Sequence, residues 1–274
     1  MVLSIKSGNI ASVKMTFNKP NKTTNIKKIR FMKAEKILNI SVDCVVFGYD
    51  VNTKSLNVLL INRFLESKGE VLVDDYVLTG YHVYTHETLD ETATRVLKEL
   101  TGLTNQYKKQ FKAFGNPDRL TNEKDLLWIK NEEFNTRTIT IAYYFLLKTE
   151  DVSLNNGNDK ATWFPVNDLP ILGFDHNTII QEAYEDLKEK CLSEPIIFKL
   201  LPDKFTINDV QDLYESILGI EIDNRNFRRK LINKKYIIAL DEKQVGVSKR
   251  PAQLYMFSLD IYNKMFQKNY LISI

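Results

Sequence analysis

The stretch Ile222-Asp223-Asn224-Arg225-Asn226-Phe227-Arg228-Arg229-Lys230 decides how the C-terminal third of the chain folds. Arg225, Arg228 and Arg229 lie three and four residues apart, so a helix presents them on one side. Phe227, Leu231 and Ile232 recur at the same spacing on the other side. A helix so patterned buries one face in a small domain and offers a fork of guanidinium groups to a DNA groove. The alternative is a solvated basic face on an ordinary surface helix.

The flanking residues favour the groove. Thr206 predicts an N-cap, supported by Asp209 three residues on, and Gly219 predicts the C-cap of a helix through Leu218. Val210, Leu213, Tyr214, Ile217 and Leu218 form its buried stripe. Asp223 is a suitable N-cap for the basic helix. Beyond it, Tyr236–Leu240 reads as a strand and Asp241-Glu242-Lys243 as a polar turn. Lys249-Arg250-Pro251 lies in the loop before a return strand at Gln253–Phe257. Helix, turn, basic helix and basic-tipped hairpin is the order of a winged helix-turn-helix. The second helix then enters the major groove and the wing touches phosphates. Asn224, Arg225, Asn226, Arg228, Arg229, Lys230, Lys249 and Arg250 are the candidate DNA contacts.

Charge is distributed accordingly. The chain is only +3 overall, yet residues 222–250 hold nine Lys/Arg against three Asp/Glu, and residues 32–221 hold twenty against thirty-one. An acidic body bearing a basic patch is the electrostatic footprint of a nucleic-acid reader joined to something else.

The 274 residues suffice for two domains. No apolar run nears the roughly 20 residues that span a bilayer, and the start lacks the apolar core of a secretion signal. Cys44 and Cys191, far apart and without metal-type spacing, read as reduced core thiols, which predicts a cytoplasmic protein. Residues 1–37 form a basic extension expected to be disordered. Its first 31 residues are either an arm adding non-specific DNA affinity or a dispensable extension ahead of Met32. Residues 38–192 form the body, and residues 193–274 the winged helix.

The body reads as α/β: strands at Ile40–Val51, Leu56–Arg63, up to Gly80, at 111–115, 137–148 and Thr162–Val166, with an amphipathic helix at Leu89–Leu100 and a long surface helix at His176–Lys190. Residues 155–159 read as a loop.

Gly80 through Leu103 resembles a degraded Nudix box. Glu87, Arg95, Leu97, Glu99, Gly102 and Leu103 keep the pattern; Tyr81 replaces a glycine, and Val96 and Leu100 replace glutamates. In that family the carboxylates at positions 96, 99 and 100 gather a divalent ion, which needs several oxygen ligands. Glu99 alone leaves too few, so the expectation is a Nudix-like α/β/α sandwich with a mixed sheet, no catalytic residues, no bound metal and no cofactor. The resemblance assigns Glu87 and Arg95 to supporting the loop before the helix. His82 and His86 read as exposed loop histidines.

With Leu200–Thr206, Asp223–Lys230, Arg250–Tyr255, Ser41–Gly48, Phe114–Arg119 and Phe174-Asp175-His176, the match extends over roughly residues 38–260 and resembles the Nudix-related transcriptional regulators. It implies a homodimer on palindromic operator DNA, acting as a repressor and controlled by a small effector bound in the former catalytic fold. A pentose such as arabinose or xylose is the favoured effector, because the glycine and metal ligands suited to a diphosphate are lost. Tyr81, His82, Asn116, Asp118 and Arg119 are its candidate contacts, although residues 114–119 read equally well as an ordered turn. The alternatives are an ADP-ribose- or NAD-responsive regulator and a Nudix hydrolase of ADP-ribose-like substrates.

Overall fold

The computed structural model describes residues 39–120, 122–131, 137–152, 161–246 and 251–271. The expectations for residues 1–37, for the loop at 155–159 and for Lys249 and Arg250 lie outside the described residues.

The body is a seven-stranded mixed sheet in the order β3-β2-β1-β6-β5, with β4 pairing β1 and β7 pairing β2. These are β1 (Asn39–Asp50), β2 (Ser55–Ser67), β3 (Glu70–Val77), β4 (Thr79–His82), β5 (Tyr107–Phe114), β6 (Thr138–Lys148) and β7 (Ala161–Pro165). β1 and β6 run parallel at the centre, and the other pairings are antiparallel. Their near-continuous apolar runs follow from burial on both faces. Val42, Cys44 and Val46 of β1 point to one side with Tyr143, Phe145 and Leu147 of β6, against Ala93, Val96 and Leu97 of helix α1 (Leu89–Thr101). Val45, Phe47 and Tyr49 alternate to the other side and meet Ile179, Ile180, Ala183 and Leu187 of helix α3 (His176–Ser193). Sheet period two thus sorts one sequence into two cores.

Three differences from the sequence reading have local causes. β2 continues to Ser67 and turns at Lys68 and Gly69, both at positive φ (54° and 80°), into β3, a tight hairpin turn. A helix α2 (Glu123–Asn131) stands where none was expected. Helix α3 is more than a surface helix: its outer side is exposed, but seven residues on the other side, from His176 to Cys191, are buried.

The C-terminal region has α4 (Ile207–Leu218), α5 (Asn224–Ile232), β8 (Ile237–Lys243), β9 (Gln253–Phe257) and α6 (Leu259–Leu271). Thr206 and Asp209 form a capping box at α4, and Gly219 closes it at φ 66°. Asp223 caps α5 by accepting from the Asn226 N–H at 2.8 Å. Two expectations are corrected. Asp241-Glu242-Lys243 do not turn but extend β8, since Lys243 pairs with Gln253 across the hairpin. Ile232 is 41% exposed, while Leu231 is buried and Phe227 half-buried, because α5 rests on α4 along a narrow seam.

The residues near 190–195 mark a change of pattern but no break in the core. One apolar cluster runs from Leu56, Val58 and Leu60 through α3 to Val210, Leu213 and Ile217 of α4. The Leu56 N–H donates to Ser216 Oγ at 2.9 Å, and Lys54 pairs with Asp212 at 2.8 Å.

Candidate functional site

Two regions stand out, an exposed cationic helix and a cavity in the body. The outward side of α5 carries Asn224, Arg225, Asn226, Arg228, Arg229 and Lys230, all exposed. Among the described residues Arg225, Arg228, Lys230, Lys234 and Lys235 have no ion-pair partner, while Arg229 Nη2 donates to Asn226 Oδ1 at 3.1 Å. Three contacts fix α5 on α4. Tyr214 and Phe227 meet edge-to-face at 5.6 Å between centroids. Glu215 Oε1 accepts from the Ile222 N–H at 2.8 Å, and Gln211 Nε2 donates to the Ile222 carbonyl at 3.1 Å. The helix is thus docked by its apolar side and its turn, leaving the guanidinium groups to solvent. β9 is bound back to the domain by Phe205 and Tyr255, which exchange backbone hydrogen bonds at 3.0 and 2.8 Å.

The cavity, of about 440 Å³, opens between β1, β4, α2 and the start of α3. Its size falls in the range of roughly 300–1,000 Å³ usual for small-ligand sites. Tyr81, His82 and Arg119 line it, as the sequence reading expected. Asn116 and Asp118 do not. They are exposed, and Asn116 Oδ1 accepts from the Asp118 N–H at 3.0 Å in a local turn whose carbonyl also accepts from the Arg119 N–H. The Phe114–Arg119 stretch is therefore an ordered turn that delivers one side chain, Arg119, to the cavity. His82 is not on a loop but on β4, half-buried, with burial lowering its pKa below the ordinary histidine value. His86 is exposed and stacks on Tyr84.

Sequence reasoning missed Asp43, Trp128, Phe174 and His176 as lining residues. Asp43 is a lone carboxylate in an otherwise apolar run of β1. Gly80 lets it pack, since a Cβ there would overlap Asp43 Oδ1 and the Val42 carbonyl. Burial raises the Asp43 pKa, opposed by the nearby Arg119 guanidinium at 3.5 Å. His176 accepts from the Leu78 N–H on Nδ1 at 2.9 Å, which leaves its proton on Nε2, 3.8 Å from Asp43. Complete burial pushes the His176 pKa down to about 3, so the ring is neutral. Arg119 donates to Asp175 through Nε at 2.8 Å and Nη2 at 2.5 Å.

A second arginine, Arg63, is 2% exposed and lies behind the cavity wall. It donates through Nε and Nη2 to Asp75 at 2.8 Å each, and through Nη2 to Asp125 of α2 at 2.7 Å. Its guanidinium faces the Trp128 and Phe174 rings at 5.5 and 4.6 Å. A Cβ on Gly173 would strike it, and the next residue, Phe174, takes the left-handed φ of 58° that non-glycine residues seldom adopt. Arg63 thereby ties α2 and the entry to α3 to the sheet.

Glu87 and Arg95 form a bidentate pair at 2.7 and 2.9 Å, and Arg95 also donates to the His82 carbonyl and covers Tyr84 at 4.2 Å. The Arg95 hydrogen bonds hold Glu87 down to about 2. This pair braces the loop before α1, the structural role expected of it. On α1, Val96 is buried, Leu100 half-buried, and Glu99 is exposed, 3.5 Å from Arg95.

Residues 197–257 match the family model described as the NrtR DNA-binding winged helix domain. Over 234 residues the chain is 27% identical to the ADPR responsive transcriptional repressor NtrR of Acinetobacter baylyi, spanning 84% of this chain and 86% of that protein. It is 29% identical over 180 residues to the ADP-ribose pyrophosphatase of Methanocaldococcus jannaschii, 64% of this chain and 91% of that one. The crystal structure of Shewanella oneidensis NrtR complexed with a 27mer DNA superposes with a TM-score of 0.65 at 26% identity, over 81% of this chain and 94% of that one.

Proposed function

Because this chain is homologous to the NrtR transcriptional repressors, with a Nudix fold followed by an NrtR-like winged helix, we propose that it represses transcription by binding operator DNA through α5 and the β8–β9 wing under control of ADP-ribose bound in the body. The observation that carries the DNA half is the outward side of α5. Arg225, Arg228 and Lys230 are exposed and unpaired among the described residues, on a helix docked by its other side. A duplex supplies the missing anions, and the Arg fork suits guanine edges. Lys249 and Arg250 belong to the wing by sequence and are assigned to phosphates. Two copies related by a two-fold axis place two such helices on paired half-sites.

The pentose expectation gives way to its alternative. The relative whose effector is part of its name is a responder to ADPR. The cavity, with aromatic Tyr81, Trp128 and Phe174 and cationic Arg119, offers stacking surfaces and one anion partner to such a ligand.

Hydrolysis, the second reading, is favoured by the pyrophosphatase relative. The donor set argues against it. A divalent ion at α1 needs several carboxylate oxygens, and positions 96, 99 and 100 supply a buried Val96, a half-buried Leu100 and one exposed carboxylate. These residues do not fit the ion, and no catalytic step is derived through it.

Fluorescence anisotropy with duplexes from the chain's own promoter neighbourhood, titrated with and without ADP-ribose, tests the proposal. Sequence-preferring binding that ADP-ribose shifts several-fold and arabinose or xylose does not is the expected result. Indifference to every such duplex sinks it, and magnesium-dependent release of AMP from ADP-ribose would establish the hydrolase instead.

A further inference from the structure

We propose that Asp175 is the moving part of the effector response: it pairs with Arg119 beside the cavity, and turns onto the N-terminus of α3 as a helix cap when an anionic ligand claims Arg119. This rests on the ADP-ribose reading above and names the residue that carries its regulation.

Asp175 occupies the N-cap position of α3, where aspartate is among the best capping residues. Yet its carboxylate makes no cap hydrogen bond there, and its backbone (φ −94°, ψ 24°) is not the extended form usual for a cap. Both carboxylate oxygens are instead taken by Arg119. Asp175 thus has two uses, each satisfying the same charge, and the structure shows one of them.

Among the described residues Arg119 is the one Lys or Arg lining the cavity. A diphosphate entering there meets a guanidinium already flanked by Asp175 and Asp43. Three anionic groups cannot share one cation in a partly buried site without strong repulsion. Asp43 has no alternative position, because β1 and Gly80 enclose it. Asp175, between the lining residues Phe174 and His176, has one: the Asn177 N–H and the positive dipole end of its own helix. The turn just before it cannot absorb the change, since Gly173 is wedged against Arg63 and Phe174 is in the left-handed region.

The change therefore passes into α3, which is continuous from the cavity to the winged helix. Midway along it Tyr184 OH donates to the Ser216 carbonyl of α4 at 3.4 Å, and near its far end the Cys191 carbonyl accepts from Tyr214 OH at 3.4 Å. Tyr214 in turn packs on Phe227 of α5. Effector and DNA are linked through one packed path within a single chain, so displacement of Asp175 alters the affinity of α5 for the operator.

The test compares operator affinity with and without ADP-ribose for the wild type, Asp175→Asn and Asp175→Glu. Asparagine caps well but cannot hold Arg119 as an ion pair. The Asn variant is expected to bind ADP-ribose several-fold more tightly, to bind the operator within about twofold of the ligand-bound wild type, and to show an ADP-ribose effect near onefold. The Glu variant keeps the ion pair but is a poor N-cap, so its ADP-ribose effect is expected to be smaller than that of the wild type. Hydrogen exchange at the Asn177 N–H should slow on ADP-ribose addition in the wild type and be slow without it in the Asn variant; the Thr178 and Ile179 N–H groups already donate to the Asp175 carbonyl. A wild-type-sized ADP-ribose effect in Asp175→Asn, or unchanged exchange at the start of α3, overturns the switch while leaving the repressor reading intact. A wild type whose operator binding ignores ADP-ribose overturns the repressor reading first.

Discussion

The arginines of the body and those of α5 are opposites. Arg63 and Arg119 are buried, and each is matched by two carboxylates drawn from distant parts of the chain. Arg225 and Arg228 are exposed and, among the described residues, unmatched. A buried guanidinium must be neutralised within the fold, because desolvation makes an unpaired charge too costly. An exposed one bears no such cost and can await a partner. The first pair sets the geometry of the cavity wall and of the entry to α3; the second leaves its charge for something outside the chain.

That contrast is broken most directly at Arg63. Arg63→Ala strands Asp125 and Asp75 without their cation, and should destabilise the fold by about 3–5 kcal/mol, the usual result of removing one partner from a buried pair. Urea unfolding reads this directly. A loss under 1 kcal/mol would mean that the pairs are wetter and weaker than their burial implies. The opposite pole is Arg228→Ala. Stability should stay within about 0.5 kcal/mol of wild type, while operator binding weakens by roughly 1–3 kcal/mol if the side chain reads a guanine. Equal loss for operator and random DNA would reduce it to a phosphate contact.

The same contrast explains what could be read from sequence. The α4–α5 unit was legible apart from the exposed Ile232, because its signals are local: Thr206 with Asp209, Gly219, Asp223, and an apolar stripe at helical spacing. The central strands β1 and β6 were legible from their apolar runs. Arg63 was not, since its partners stand 12 and 62 residues away and a lone arginine in a strand looks solvated. Helix α2 was missed for the same reason. Leu126 and Leu127 are exposed, and its anchor is Asp125, a charge held by a charge. Of the five residues expected to contact an effector, Tyr81, His82 and Arg119 line the cavity and Asn116 and Asp118 do not. Asp43 offered a signal, a single acid among apolar neighbours; Phe174-Asp175-His176 was among the stretches that carried the resemblance, but nothing local marked the left-handed turn at Phe174.

His176 sharpens the comparison by pH. Its value in the folded chain is about 3, against 6.5 ordinarily, so the unfolded chain binds more protons between those limits. Stability therefore rises with pH across that window and is lost as pH falls below about 6.5, by up to about 1.4 kcal/mol per unit from this group. Urea midpoints at pH 7, 6 and 5 should decline more steeply for the wild type than for His176→Gln, which keeps an acceptor for the Leu78 N–H. Parallel slopes would show that the ring takes up a proton while folded, with Asp43 as its counter-charge.

Glu99 is the smallest case and tests what has become of the helix that resembles the Nudix box. Its side chain is 62% exposed, and among the described residues its one ion-pair partner is Arg95 at 3.5 Å, one turn earlier on α1. Such i,i+4 pairs contribute about 0.3–0.5 kcal/mol, and Arg95 is already neutralised by Glu87. Glu99→Gln should therefore shift the unfolding midpoint by less than can be told from replicate scatter. It should also leave ADP-ribose affinity the same with magnesium or with chelator, as in the wild type. The two measurements separate two uses of one carboxylate. As a solvated helix residue it is dispensable in both; as the last member of an ion-binding set it would matter in the second alone. A magnesium-dependent affinity that disappears in Glu99→Gln would return α1 to the role of a metal site, and would move the anion partner of the ligand from Arg119 to a cation the protein holds.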